Sequence, residues 1–136
     1  MAELYTTLGH SGITVSRVCL GGMSFGEKVP GGHQWVAGYE ETRAIIARAL
    51  ERGITFIDTA NCYAQGTSEE FIGRALRELG VPRDRVVLAS KVFFNEGRLS
   101  RAAIEREIDG TLRRLQTDYL DLYIIHRFDY GTPIEE

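Results

Sequence analysis

The chain has 136 residues, 43 % of them hydrophobic and 26 % charged, a balance that predicts one globular domain over residues 1–136. Its formal net charge is −3 and its pI is about 5.7, with Lys and Arg scattered among acidic residues. We therefore expect neither nucleic acid nor a membrane surface as a partner. No apolar stretch approaches the roughly 20 residues that cross a bilayer, and no signal peptide is evident, so we expect a cytoplasmic protein.

The two cysteines, Cys19 and Cys62, lie far apart in the sequence and outside any Cys-x-x-Cys or Cys/His ligand spacing. They indicate neither a disulfide framework nor a metal site. Cys19 belongs to an apolar run, and we expect its small side chain to be buried. Cys62 lies beside Tyr63 in a predicted loop, where a place in the lining of a pocket remains open to it.

Short apolar runs alternate with helical patterns along the chain, as in βα units built on a parallel sheet. Residues 4–15 come first and contain a Gly-His-Ser-Gly turn between two extended pieces, which predicts a small hairpin. The predicted core strands are residues 17–22, 54–57, 85–90 and 120–125, and the predicted helices are residues 40–52, 68–79 and 100–115. This order predicts an α/β fold with about four βα units.

Local signals mark the ends of the predicted helices. Gly53 and Gly80 follow the first two helices, at the position where a left-handed residue commonly ends a helix. Ser68 is the predicted N-cap of the second helix. Residues 132–135 pair Thr and Pro with a Glu three residues after the Thr, a typical helix start. We therefore expect a helix that continues beyond Glu136, the alternative being a tail that begins by chance with this pattern.

Ionisable residues follow three of the predicted strands. Asp58, Lys91 and His126 each come directly after an apolar run, with spacings of 33 and 35 residues. Because parallel strands point the same way, we expect these side chains to converge at the carboxyl edge of the sheet, where α/β proteins place their sites. Tyr63 lies in the loop that leaves the same edge. Taken singly, each could be a solvated loop residue or a packing residue, and their joint placement favours a shared site.

The combination of these four residue types suits one kind of chemistry. A phenol holds its proton tightly at neutral pH unless a nearby cation stabilises its anion, and a carboxylate can hold that cation in place. A histidine can then hydrogen-bond a substrate oxygen. Together the side chains suit proton transfer to a carbonyl oxygen that receives a hydride. Neither a nucleophilic Ser or Cys with a base nor a glycine-rich phosphate loop is evident.

Four segments of the chain resemble the aldo-keto reductase superfamily. Residues 53–63, Gly-Ile-Thr-Phe-Ile-Asp-Thr-Ala-Asn-Cys-Tyr, and the Ser-Glu-Glu-Phe-Ile-Gly of residues 68–73 are similar to its first signature. Residues 20–26 resemble its first strand and loop, and residues 115–123 its fourth strand. The most similar branch contains aryl-alcohol dehydrogenases, aflatoxin-aldehyde reductases and potassium-channel β subunits. The resemblance implies a TIM (β/α)₈ barrel, of which this chain supplies an N-terminal half-barrel of four βα units after a β-hairpin.

The resemblance also implies roles for the strand-end residues. Tyr63 corresponds to the general acid of carbonyl reduction, Lys91 to the cation that makes its proton easier to transfer, Asp58 to the anchor of Lys91, and His126 to the group that orients the carbonyl. The implied cofactor is NADPH and the implied substrates are small aldehydes and ketones.

Three residues correspond to positions near the nicotinamide of that cofactor, namely Gly22, Met23 and Asp58. Trp35 falls in a loop that can line a substrate pocket, and simple loop packing is the equal alternative. In the family most cofactor contacts come from the fifth to eighth strands, which this chain does not supply. Three functions therefore remain open: a carbonyl reductase, a catalytically silent scaffold or binding module, and a half-barrel that self-associates through its open edges.

Overall fold

A computed structural model describes residues 3–136. The chain begins with an antiparallel hairpin of β1 (Tyr5–Thr7) and β2 (Thr14–Ser16), as predicted. The alternating strands and helices that follow are β3 (Cys19–Gly21), α1 (Tyr39–Glu51), β4 (Phe56–Asp58), α2 (Thr67–Glu78), β5 (Val87–Val92), α3 (Arg101–Leu115) and β6 (Leu122–Ile125). Short 3₁₀ turns lie at Tyr63–Gly66 and Arg83–Arg85. No helix within residues 3–136 is long and apolar enough to cross a membrane.

The four core strands form one parallel sheet in the order β3-β4-β5-β6. Side chains that alternate along the strands point to the helices on one face, where Ile57 and Leu88 pack with Ile46, Ile72 and Leu115. A parallel sheet in which each strand neighbours the next along the chain is the arrangement of consecutive barrel units. The opposite face of the sheet carries the other set of alternating residues.

The predicted strand positions need correction at several ends. The third core strand extends to Val92, two residues past its predicted end, because it pairs with β6 as far as the Val92–Ile125 register. Asp58 is the last residue of β4 rather than the first residue of a loop. The fourth core strand begins only at Leu122, since the Asp121 carboxylate accepts a 2.9 Å hydrogen bond from the backbone N–H of Leu88.

The prediction that Cys19 is buried is wrong, because this residue is exposed. Cys19 lies on the first strand of the sheet, and its neighbour Leu20 takes the face that packs against the helices. An apolar run predicts a strand buried on both faces, but within residues 3–136 only one face of β3 meets a helix layer. The sheet pleat therefore decides the exposure of Cys19.

Ser68 is not the N-cap of α2, although the sequence predicts that role. The helix begins at Thr67 after Gly66, whose φ is +93° and which provides no side-chain cap. Ser68 is fully buried and donates a 2.6 Å hydrogen bond to the backbone oxygen of Gly22. Its hydroxyl also lies 2.9 Å from that of Thr59. Ser68 therefore joins the helix to the ends of β3 and β4, a contact between residues distant in sequence.

The predictions for helix ends have mixed outcomes. Gly53 and Gly80 have φ values of +80° and +67° and end α1 and α2 as predicted. Residues 132–136 form only a single turn, in which Glu136 donates to the backbone oxygen of Pro133 over 3.1 Å. Thr132 does not cap this turn, because within residues 3–136 no backbone N–H donates to its hydroxyl, which itself donates to the Asp129 carboxylate. A helix beyond Glu136 stays a prediction.

Candidate active site

The structure brings the four strand-end and loop residues together at the carboxyl edge of the sheet. Asp58 is the last residue of β4, Lys91 is the second-to-last residue of β5, and His126 follows β6 directly. Tyr63 opens the 3₁₀ turn that follows β4. Their positions follow from the parallel direction of the strands, so the predicted convergence is present in the fold.

The Lys91 ammonium group is the centre of the site. Its Nζ donates to Asp58 Oδ2 over 2.7 Å, to the backbone oxygen of Thr59 over 3.0 Å and to the Tyr63 hydroxyl over 3.1 Å. These three acceptors use all three protons of the ammonium group. Lys91 therefore has one defined position, with its charge next to the phenol oxygen.

The Lys91 side chain is charged at neutral pH. Burial lowers its pKa, but the hydrogen bonds with Asp58 and Tyr63 outweigh burial and raise the pKa above the ordinary lysine value. The Lys91–Asp58 ion pair is mostly shielded from solvent, with 14 % and 28 % of the two side chains exposed. A shielded pair of this kind keeps its geometry better than a surface ion pair.

The His126 ring stands beside the phenol ring in an edge-to-face arrangement. Its centroid lies 5.7 Å from that of Tyr63 and 5.0 Å from that of Phe94, with interplanar angles of 86° and 78°. Cys62 Sγ lies 3.9 Å from His126 Nδ1. Burial, and next the positive charge of Lys91, lower the pKa of His126 below its ordinary value. The imidazole is therefore neutral at pH 7 and retains one N–H donor.

Gly22 and Met23, the residues predicted to lie near a nicotinamide, follow the end of β3. The Gly22 N–H donates to the backbone oxygen of Asp58 over 2.7 Å. A Cβ at Gly22 would approach that oxygen to 3.0 Å and Ser68 Oγ to 3.1 Å, so glycine permits close packing there. Met23 is 50 % exposed at the same edge of the sheet.

Whether Trp35 and Cys62 line a substrate pocket stays open, as it does in the sequence. The Trp35 ring stacks on His33 with centroids 4.6 Å apart and remains 54 % exposed. Cys62 and His33 both line a cavity of about 180 Å³ next to the 3₁₀ turn of Tyr63. The loop before α1 thus reaches the vicinity of the site, with Trp35 stacked at its surface.

Two amide side chains at the site were not found by sequence reasoning. Asn61 Nδ2 donates to Asn95 Oδ1 over 3.0 Å and to Glu107 Oε1 over 2.9 Å. These bonds join the loop that carries Tyr63 to the loop after β5 and to α3. The position of Asn61 two residues before Tyr63 is the only sequence signal for it, and its partners lie 34 and 46 residues away.

A buried ion pair behind the site was also missed. Glu69 is completely buried, although its place in the first turn of α2 predicts an exposed acid. Its carboxylate accepts 2.7 Å hydrogen bonds from Arg114 Nε and from the Ser90 hydroxyl. Ser90 precedes Lys91, so this network ties α2 and α3 to the strand that carries the ammonium group.

Besides Tyr63, a second tyrosine, Tyr123 of β6, lies close to the network of Glu69 and Ser90. Burial, and next Glu107 and Glu69, raise its pKa to about 12. Tyr123 is in register with Ser90, whereas Lys91 is in register with Ile124. Its side chain therefore belongs to the helix face of the sheet, opposite to the face of Lys91. Of the two tyrosines, Tyr63 is the one placed to take part in chemistry at the open edge.

Comparison with known proteins shows the family of the chain. The Aldo/keto reductase family matches residues 17–136. The chain is 43 % identical to the aldo-keto reductase YhdN of Bacillus subtilis, over 97 % of this chain and 40 % of that protein. It is 38 % identical to a probable voltage-gated potassium channel β subunit of rice (Oryza sativa subsp. japonica), over 97 % of this chain and 40 % of the rice protein.

Solved structures share the fold as well. The aldo-keto reductase AKR11C1 from Bacillus halodurans superposes with a TM-score of 0.78 at 36 % identity, covering 97 % of this chain and 43 % of that structure. An aldo-keto reductase from Klebsiella pneumoniae in complex with NADPH superposes with a TM-score of 0.69 at 40 % identity, covering 85 % and 37 %. The chain spans less than half the length of the curated relatives it matches. It belongs to the aldo/keto reductase family, and its four parallel strands with three intervening helices have the fold of part of that family's barrel.

Proposed function

We propose that the chain supplies the proton-transfer machinery of an NADPH-dependent reductase that converts aldehydes and ketones to alcohols. The observation that carries the proposal is the position of Lys91 Nζ, which donates to both Asp58 and the Tyr63 hydroxyl. A phenol next to a fixed ammonium group is suited to donate a proton and to hold the resulting negative charge.

Tyr63 is the proposed general acid. As its proton moves to the substrate oxygen, negative charge develops on the phenol oxygen, 3.1 Å from Lys91 Nζ. Asp58 holds that ammonium group at 2.7 Å and balances its charge before the reaction. Because the partners are fixed in advance, little rearrangement is needed when the charge develops.

His126 is the proposed orienting group for the carbonyl. A neutral imidazole can donate one hydrogen bond to the carbonyl oxygen without competing with Tyr63 for a proton. The low pKa of His126, caused by burial and then by Lys91, favours this uncharged form. The rings of Phe94 and Tyr63 restrict its orientation by edge contacts on two sides.

The residues at the ends of β3 and β4 fit the nicotinamide end of NADPH. Met23 offers a half-exposed thioether there, and Asp58 offers a partly exposed carboxylate, while Gly22 keeps the backbone close to β4. When bound, NADPH supplies the hydride for the carbonyl carbon. The Klebsiella pneumoniae relative was solved with NADPH, which supports the same cofactor for this chain.

A second candidate function is supported by the two open edges of the sheet, β3 and β6. Ile125 is 53 % exposed at the end of β6, and Cys19 is exposed on β3 at the other edge. Exposed edge strands with apolar side chains tend to find partners. A catalytically silent half-barrel that binds a partner, or pairs with a second copy of itself, would use these edges.

Substitution of Tyr63 by phenylalanine tests the proposed reductase function. In a longer protein that contains this chain and reduces carbonyl compounds, we expect Tyr63→Phe to lower kcat by about 10²–10⁴-fold, because the ring remains and only the acidic proton is lost. NADPH affinity, measured by fluorescence titration, should be unchanged. Tyr5→Phe, on the exposed hairpin, is the matched control and should retain full turnover. Near-normal turnover of Tyr63→Phe would show that another group protonates the product.

A further inference from the structure

An open cleft of about 730 Å³ lies next to the proposed active site, between two loops that leave the carboxyl edge of the sheet. The loop after β5 contributes Phe93 and Arg98, and the loop after β6 contributes Arg127, Phe128 and Tyr130. We refer to the cavity lined by these residues as the arginine cleft. Neither the proton transfer nor the cofactor fit described above uses it.

The arginine cleft adjoins the site, and the ring of Phe94 lies between the two. Phe93 lies two residues after Lys91, and Arg127 follows His126 directly. The Arg127 guanidinium lies 5.0 Å from the centroid of the Phe94 ring, which in turn lies 5.0 Å from that of His126. A ligand that enters the cleft is thus one aromatic ring away from the imidazole proposed to orient the carbonyl.

The two guanidinium groups of the cleft are uncommitted. Within residues 3–136, neither the Arg98 nor the Arg127 side chain takes part in an ion pair or a hydrogen bond. The Arg98 guanidinium lies 4.8 Å from the Phe93 ring centroid, a cation–π contact that leaves its donors free. Two unpaired guanidinium groups beside one cavity favour an anionic ligand, because Arg presents a fork that matches a carboxylate.

The one acidic residue of the cleft does not neutralise these cations by direct contact. The Asp129 side chain accepts 2.8 Å and 2.9 Å hydrogen bonds from the Thr132 hydroxyl and the Gly131 N–H, and a 3.2 Å bond from the Leu99 N–H. The Thr132 and Gly131 bonds are the main cause of its lowered pKa. Asp129 is therefore occupied in shaping the loop, and the cleft keeps a net positive charge.

The loop that carries Arg98 is held in a strained but fixed conformation. Arg98 has a φ of +46°, a left-handed value that costs free energy in a residue other than glycine. Asn95 Nδ2 donates to the backbone oxygens of Arg98 and Glu96 over 3.0 and 3.2 Å. The side-chain oxygen of Asn95 accepts the bond from Asn61 of the Tyr63 loop. The position of Arg98 is thereby coupled to the loop of the proposed acid.

We propose that the arginine cleft binds an anionic group of the substrate, so that the substrate class is aldehydes or ketones that carry a carboxylate on an aromatic or apolar body. This inference rests on the proposed function. Arg98 and Arg127 bind the carboxylate, and the exposed rings of Phe128 and Tyr130, 53 % and 93 % accessible, provide apolar surface for the body. The carbonyl of such a compound then points toward His126 and Tyr63.

The test uses equilibrium dialysis to compare how tightly the 136-residue chain binds a charged probe and a neutral one. The probes are para-(hydroxymethyl)benzoate, an alcohol product that cannot react with lysine, and its uncharged methyl ester. We expect the anion to bind about tenfold more tightly than the ester, since hydrogen bonds to charged groups are worth that much or more. Added sodium chloride should weaken binding of the anion and leave binding of the ester unchanged.

Arginine variants identify the residues responsible for the preference for the anion. Arg127→Gln and Arg98→Gln should each reduce the preference for the anion, and the double variant should abolish it. Arg48→Gln, which makes the same charge change on the exposed face of α1, should retain it. Circular dichroism of each variant confirms that the fold is kept, and Arg127→Lys, which keeps the charge, should retain part of the preference.

Outcomes for this proposal can be separated from those for the proposed function. Tyr63→Phe should leave the preference for the anion intact, so a failure of Tyr63 as acid does not affect this measurement. Equal binding of both probes, or an equal loss of preference in Arg48→Gln, would overturn the proposal. Displacement of the bound anion by NADP⁺ would overturn it too, because the arginines would then serve a nucleotide phosphate instead of the substrate.

Discussion

The buried ion pair behind the active site makes a sharp prediction about stability. Replacement of Arg114 by methionine keeps most of the apolar stem but leaves the Glu69 carboxylate with Ser90 as its remaining hydrogen-bond partner. Glu69 is 0 % exposed and the Arg114 side chain 26 % exposed, so the carboxylate itself stays shielded from solvent when the guanidinium is lost. Removal of one partner of a buried pair costs about 3–5 kcal/mol, and we expect the free energy of unfolding to fall by about that amount.

Two further variants make this reasoning refutable. Arg48→Met removes an ion pair with Glu51 in which the two side chains are 62 % and 64 % exposed, and it should cost less than about 0.5 kcal/mol. The double variant Glu69→Leu/Arg114→Met removes both charges and should recover much of the loss, because no unpaired charge stays buried. Urea denaturation followed by far-UV circular dichroism, at one protein concentration, measures all three. An Arg114→Met variant no less stable than Arg48→Met would refute the reasoning.

Three other predictions concern packing, cofactor binding and association. Gly73→Ala should lower the free energy of unfolding by about 1–3 kcal/mol in the same assay, because a Cβ there would lie 2.6 Å from the Leu115 backbone. Gly21→Ala, where a Cβ meets nothing within 4 Å, is the control, and equal effects would contradict the packing argument. We expect the 136-residue chain alone to show no micromolar NADPH affinity in a fluorescence titration, because it has no glycine-rich phosphate loop. Micromolar binding of NADPH by a clean monomer would contradict this prediction. The same chain should self-associate in size-exclusion chromatography with light scattering, since Ile125 at the β6 edge is 53 % exposed, whereas a sharp monomer peak with cooperative melting would contradict it.

The buried network and the proposed catalytic residues are parts of one arrangement. Glu69 holds Ser90, which precedes Lys91 in β5, while Asn61 joins the Tyr63 loop to Asn95. Lys91 and Tyr63 thus each have a nearby residue in the chain whose side chain is bound to a different element. A site built on strand ends and supported in this way keeps its distances better than one built on loops alone.

Much of the fold and of the candidate site could be predicted from the sequence. The alternation of apolar runs with helical patterns determined the βα order, and Gly53 and Gly80 determined two helix ends by their left-handed φ values. The spacing of Asp58 and Lys91 on successive strands predicted that they would meet, and they do so at 2.7 Å. These features depend on local patterns and on strand direction, which a sequence records directly.

Tertiary structure alone decided the features that depend on a distant partner or on which face a residue takes. Ser68 has the residue type of an N-cap, but the carbonyl of Gly22, 46 residues away, receives its hydrogen bond. Glu69 has the sequence position of an exposed acid. It is buried because Arg114, 45 residues further along the chain, donates a hydrogen bond to its carboxylate. Cys19 lies in an apolar run, yet the pleat of β3 turns it away from the helices. Burial of a polar group depends on a partner brought by the fold, and no local pattern encodes that partner.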